Sequence, residues 1–215
     1  MRLLVVNPNS TEAMTASIAA AARAAAAPDV EIVAVTNASG PPAIQGEADG
    51  ALAVPGAVAA IRRGASEGCA AAIIACFDDT GLDEARAAVP IPVIGIGEAG
   101  FHVAMLHGGP FSVITTLPVS VPVIEANLRR YGLEAACARV RASGLAVLEL
   151  DEAPARAEPI LIDCARAALA EDGARALVLG CGGMAPYAEA LRAATGAKVV
   201  DGVAAATDLA RAAAR

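Results

Sequence analysis

Short apolar runs alternate with longer alanine-rich amphipathic stretches along the whole chain. LLVVN, AAIIAC and ALVLGC are apolar runs of strand length, while EAMTASIAAAARAAA has the character of a helix. The pattern predicts strands at Leu3–Asn7, Glu31–Thr36, Ala71–Cys76, Val93–Gly97, Ser112–Thr115, Arg139–Ala142, Ala176–Cys181 and Val199–Asp201. It predicts helices at Glu12–Ala26, Leu52–Glu67, Asp83–Ala88, Val123–Tyr131, Ala155–Glu171 and Ala185–Ala194. Strands that are apolar throughout and alternate with helices indicate an α/β fold, its parallel sheet covered on both faces.

Corresponding features recur at nearly one offset. Cys181 lies 105 positions after Cys76, and Thr115 lies 108 after Asn7. The strand beginning at Arg139 lies 108 after the one beginning at Glu31. These offsets predict two pseudo-symmetric lobes, each a mainly parallel sheet flanked by helices, with one thiol from each facing a shared cleft. No flexible linker separates them, and the proline-rich pieces Gly40–Ala43 and Val89–Pro92 read as short loops.

Composition narrows the function. The chain has 215 residues, a net charge of −7 and only 2% aromatic residues, so neither basic stripes nor stacking platforms for nucleic acid are present. No apolar run approaches the roughly 20 residues of a bilayer crossing, so no membrane partner is expected. Met1 and Arg2 lead straight into a strand, which gives the expectation of a cytoplasmic protein. The five cysteines, Cys69, Cys76, Cys137, Cys164 and Cys181, are odd in number and form no CxxC. Reduced thiols are expected rather than a disulfide framework.

Ligands of open parallel sheets bind beyond the carboxyl ends of the strands. Four polar clusters fall there: Asn7-Pro8-Asn9-Ser10-Thr11, Cys76-Phe77-Asp78-Asp79-Thr80-Gly81, Thr115-Thr116-Leu117-Pro118 and Cys181-Gly182-Gly183. The first lacks the spaced glycines and lysine of a phosphate loop. Its Ser10 or Thr11 also suits a plain helix cap. A thiol at a strand-to-helix junction meets free backbone N–H groups, which favour thiolate, while the carboxylates of Asp78 and Asp79 oppose it. Cysteine is also a common packing residue, the reading that fits Cys69, Cys137 and Cys164.

Two opposed thiols can exchange a proton with a carbon acid, one removing it as thiolate and the other returning it to the opposite face. That chemistry is racemisation without cofactor. A lone cysteine nucleophile would need a histidine base, yet His102 and His107 lie away from both thiol motifs. Their spacing, with no HxxxH and no clustered carboxylates, gives no support to a metal.

NPNS at the start, SGPPAIQG at Ser39–Gly46, ACFDDTGL around Cys76 and LGCGGM around Cys181 together resemble the hydantoin and allantoin racemases of the aspartate/glutamate racemase superfamily. The resemblance implies a two-lobed α/β fold whose C-terminal helix returns to the first lobe. Residues 1–97 with 203–215 would then form one lobe and residues 98–202 the other. It implies two catalytic cysteines, Cys76 and Cys181, flanking the stereocentre. Asn7, Ser10, Thr80, Thr115, Thr116 and the backbone of Gly182 and Gly183 would hold a hydantoin ring, with Pro41, Ile44 and Phe77 bordering its 5-substituent. A small-molecule substrate, no cofactor and a homo-oligomeric assembly also follow from it. Glutamate racemases place a histidine shortly after the second cysteine, where this chain has Gly183-Met184. That departure and the lack of Arg or Lys in the four polar loops favour a neutral cyclic ureide. Amino-acid racemase, maleate-type isomerase and non-catalytic binding protein are the alternatives.

Overall fold

The computed structural model describes residues 1–215. Its elements run β1 (Arg2–Asn7), α1 (Glu12–Ala25), β2 (Glu31–Thr36), α2 (Glu47–Ser66), β3 (Ala71–Ile74), α3 (Leu82–Ala88), β4 (Val93–Gly95) and α4 (Ile96–Met105). The second half runs β5 (Phe111–Thr115), α5 (Val121–Arg130), β6 (Cys137–Ala142), α6 (Glu149–Glu152), α7 (Pro154–Glu171), β7 (Ala176–Leu179), α8 (Ala188–Thr195), β8 (Lys198–Asp201) and α9 (Gly202–Ala213). The strands form two four-stranded parallel sheets ordered β2-β1-β3-β4 and β6-β5-β7-β8. Each half thus repeats one topology, and the pseudo-symmetric α/β architecture expected from the offsets is present.

Alternation along each strand explains why both faces must be apolar. Leu3, Val5 and Ile73 point into one cluster, while Leu4, Val6 and Ile74 point into another beneath α2 and α3. In the second sheet Val113 and Val178 join the first cluster, and Ile114, Leu177 and Leu179 pack under α7 and α8. The shared cluster lies between the sheets and takes in Phe101 of α4 and Val203 and Ala206 of α9. Phe101 meets the ring of Phe77 edge-on at 5.2 Å and stacks on Phe111 at 6.0 Å. Each such aromatic pair is worth ~0.5–1.5 kcal/mol beyond the area it buries, which ties the loop after β3 to the second sheet. Helix α9 closes the chain by packing on α1, α4, β3 and β4.

Several boundaries differ from the sequence reading. β3 and β7 stop at Ile74 and Leu179, short of their cysteines. The strand expected over Val93–Gly97 ends at Gly95, and α4, which the pattern did not predict, starts at once. A carboxylate from far upstream takes the N–H groups of its first turn, as described below. α2 begins at Glu47, earlier than expected. The helix expected from Ala185 opens as a 3₁₀ turn over Gly182–Tyr187 before α8.

Candidate active site

The two thiols are delivered by the same device. Val6 of β1 pairs with Ile74 of β3, and Ile114 of β5 pairs with Leu179 of β7. One further ladder bond follows in each lobe, Ala75 N–H to the Val6 carbonyl at 2.9 Å and Gly180 N–H to the Ile114 carbonyl at 2.7 Å. The next residue is then Cys76 in one sheet and Cys181 in the other. Gly180 crosses the end of β5 so closely that a Cβ there would lie 2.7 Å from the Ile114 carbonyl. No other residue fits that approach. The Thr115 hydroxyl fastens the crossing by donating to the Gly180 carbonyl at 3.1 Å.

Both cysteines line one cavity of about 30 Å³ between the lobes. Of the other expected site residues, Ile44, Phe77, Thr116 and Gly182 share its walls. Asn7, Ser10, Pro41, Thr80, Thr115 and Gly183 are not in its lining. Asn7 is buried one layer back, its amide donating to Asn9 Oδ1 and Thr15 Oγ1. Ser10 and Pro41 join backbone to backbone, the Ser10 N–H donating to the Pro41 carbonyl at 2.9 Å. Thr80 supports a thiol directly, its hydroxyl donating to Cys76 Sγ at 3.3 Å. Neither Ser10 nor Thr11 caps α1 through its side chain; Thr11 donates instead to the Pro42 carbonyl.

The cavity also exposes Asn9, Met14, Asp78, Ser120 and Val147, whose part the sequence reading did not identify. Asn9 could have been found, since it stands in the NPNS motif. Its Nδ2 donates only to the soft Sδ of Met14, at 3.1 Å. Ser120 and Val147 carry no local signal, because chain folding alone brings them to the cleft. The remaining cysteines lie elsewhere: Cys69 is buried, and Cys137 and Cys164 are only half-buried. His102 and His107 are exposed.

Residues 3–210 match the family described as Asp/Glu/Hydantoin racemase. The chain belongs to that family. A hydantoin racemase from Rhizobium meliloti is 47% identical over 212 residues, spanning 99% of this chain and 88% of the relative. The solved structure of allantoin racemase from Klebsiella pneumoniae superposes with a TM-score of 0.96 at 42% identity, covering 99% of this chain and 86% of that one. A glutamate racemase from Francisella tularensis, 17% identical, shares the fold at a TM-score of 0.72 over 98% of this chain and 80% of its own. The protein is an isomerase, a racemase acting on a small molecule.

In this racemase the electrostatics around the thiols reverse one expectation. The favourable donors are present: the Asp78 N–H and the Thr80 hydroxyl at Cys76, and the Gly183 N–H at Cys181. Burial outweighs them. It pushes the Cys181 thiol up to about 12, with the charges of Asp78 and Asp151 adding to the effect. The Cys76 thiol rises further, through burial first and the Asp78 charge second. Desolvating a lone thiolate costs more than two neutral hydrogen bonds return.

The adjacent carboxylates divide their roles. Asp79 is buried with φ at 50°, a left-handed conformation that aspartate tolerates better than most residues. It accepts from the N–H groups of Gly97 and Glu98 at 2.9 and 2.8 Å, which starts α4, and from the Tyr131 hydroxyl at 2.7 Å. Asp78 turns to the cleft, while its carbonyl accepts from the Asn127 side chain of α5 at 2.8 Å.

Proposed function

We propose that this racemase interconverts the D and L forms of 5-monosubstituted hydantoins, allantoin among them, by proton transfer at C5 between Cys76 and Cys181. One observation carries the reading: two cysteines at equivalent positions of two equivalent sheets line the same cavity. A thiolate on one face removes the C5 proton, and the electron pair delocalises into the adjacent ring carbonyl. The thiol on the other face then protonates C5 and is left as thiolate, so the pair carries one negative charge before and after the transfer and the enolate holds it in between. Ionising one sulfur raises the pKa of the other, which suits a shared single charge.

The walls suit a neutral ring. No Arg or Lys lines the cavity, and its polar groups are the Asn9 amide, the Thr116 and Ser120 hydroxyls, the Asp78 carboxylate and backbone around Gly180–Gly182. The same reading divides the chain into residues 1–97 with 203–215 and residues 98–202, and expects copies to associate, which sedimentation would check.

Polarimetry on hydantoins, allantoin, aspartate and glutamate tests the substrate, with C5 proton exchange in heavy water followed by NMR. Cys76→Ser and Cys181→Ser should each cut racemisation by about three orders of magnitude or more, as removal of an essential acid–base group does. Each variant should retain exchange of one enantiomer more than of the other. Undiminished racemisation in either variant would rule out the two-thiol mechanism.

A further inference from the structure

Asp78 is the only charged residue in the wall of the thiol cavity. Its carboxylate accepts no hydrogen bond from the protein, although burial and the neighbouring Asp79 charge both press upon it. Asp79 is committed to α4 and Tyr131. Arg130, the nearby cation, is engaged with Asp83 at 2.6 Å and with the Tyr131 hydroxyl. The Asp78 side chain therefore lacks a structural role, while its backbone is fixed by Asn127.

Position supplies the missing role. Asp78 belongs to the wall of the thiol cavity and also to that of a second, larger cavity of about 290 Å³. The larger space opens between the start of α2, residues 78–84 and α5, and has Glu47, Asp79, Asp83 and Glu84 around it, with Arg130 the one cation in its wall. Asp78 is the only residue common to the two walls, so a 5-substituent directed from the thiols toward the larger space would meet it. An unpartnered carboxylate there accepts hydrogen bonds from N–H groups and repels another carboxylate.

We propose that Asp78 is a specificity-determining residue, selecting hydantoins whose 5-substituent carries N–H donors and turning away those that carry a carboxylate. A ureido group or a primary amine is the favoured chemistry. The proposal rests on the hydantoin reading above and sharpens its substrate class.

The test compares kcat/KM for four racemisations: allantoin, a 5-aminobutyl, a 5-isobutyl and a 5-carboxymethyl hydantoin. Ratios between substrates cancel any effect that Asp78 exerts on the thiols themselves. The wild-type chain should prefer the aminobutyl over the carboxymethyl compound by roughly a hundredfold, with allantoin above isobutyl by roughly tenfold, the worth of hydrogen bonds to a charged group. Asp78→Asn should shrink both ratios by about tenfold, and Asp78→Glu, which keeps the charge, should preserve their order. Ratios in Asp78→Asn within about twofold of wild type, with isobutyl racemisation retained, overturn the proposal. A wild-type chain inert toward all four hydantoins overturns the reading beneath it, and is told apart by that inertness.

Discussion

Thr80 and Asp78 pull the Cys76 thiol in opposite directions. The Thr80 hydroxyl donates to Sγ and favours thiolate, whereas the Asp78 charge disfavours it at both cysteines. Thr80→Val should therefore move the ascending, thiolate-forming limb of the pH–rate profile to higher pH, and Asp78→Asn should move it lower. Titration of kcat/KM for an uncharged hydantoin checks both signs, with Asp151 the other carboxylate bearing on Cys181. The cysteine pair was legible in the sequence because each thiol follows an apolar strand run at a matching offset. The high thiol pKa values were not. They depend on how completely the lobes exclude water, and the junction motif shows only the donors.

At the scale of elements, α4 was hidden because its cap is not local. Gly95 precedes the helix with no side chain to offer, and Asp79 reaches across from the loop after β3. Asp79→Ala should cost about 1–2 kcal/mol, the usual worth of a helix cap, read as a lowered thermal midpoint. Burial also lifts the Asp79 pKa from its ordinary 3.8 to about 7, so the folded chain keeps a proton that the unfolded chain releases. The stability this group contributes is full below its unfolded pKa and is lost as pH rises through about 7. Asp79→Asn should flatten the thermal midpoint between those two values. The parallel strands were readable to within two residues at Cys76 and Cys181, since a short apolar run bounded by turn residues suits a strand covered on both faces. Their final residues were not, because the last ladder bonds at Ala75 and Gly180 extend an apolar run beyond the strand proper.

Across the whole molecule, the pseudo-symmetry was visible in the offsets, but the closure of the cleft was not. A cavity of about 30 Å³ holds little more than water, so a ring must enter through an opened state. One tie across the mouth joins residues 102 positions apart: the Val147 N–H donates to the Gln45 side chain at 3.1 Å. Beside it Gly46 has φ at 104°, and a Cβ there would come within 2.9 Å of Val119 from the second half. The two sides of the mouth thus meet without slack, while the shared core under α4 and α9 keeps the far side joined. Gln45→Ala removes the tie without adding bulk. It should raise KM severalfold, by about the worth of one hydrogen bond, and speed amide exchange at Val147. Gly46→Ala adds both backbone strain and a clash, so it should impair closure more deeply and lower kcat as well. The contrast identifies which motion matters. If loosening the mouth affects binding alone while wedging it slows the chemistry, the thiols reach the two faces of C5 only when the lobes have shut.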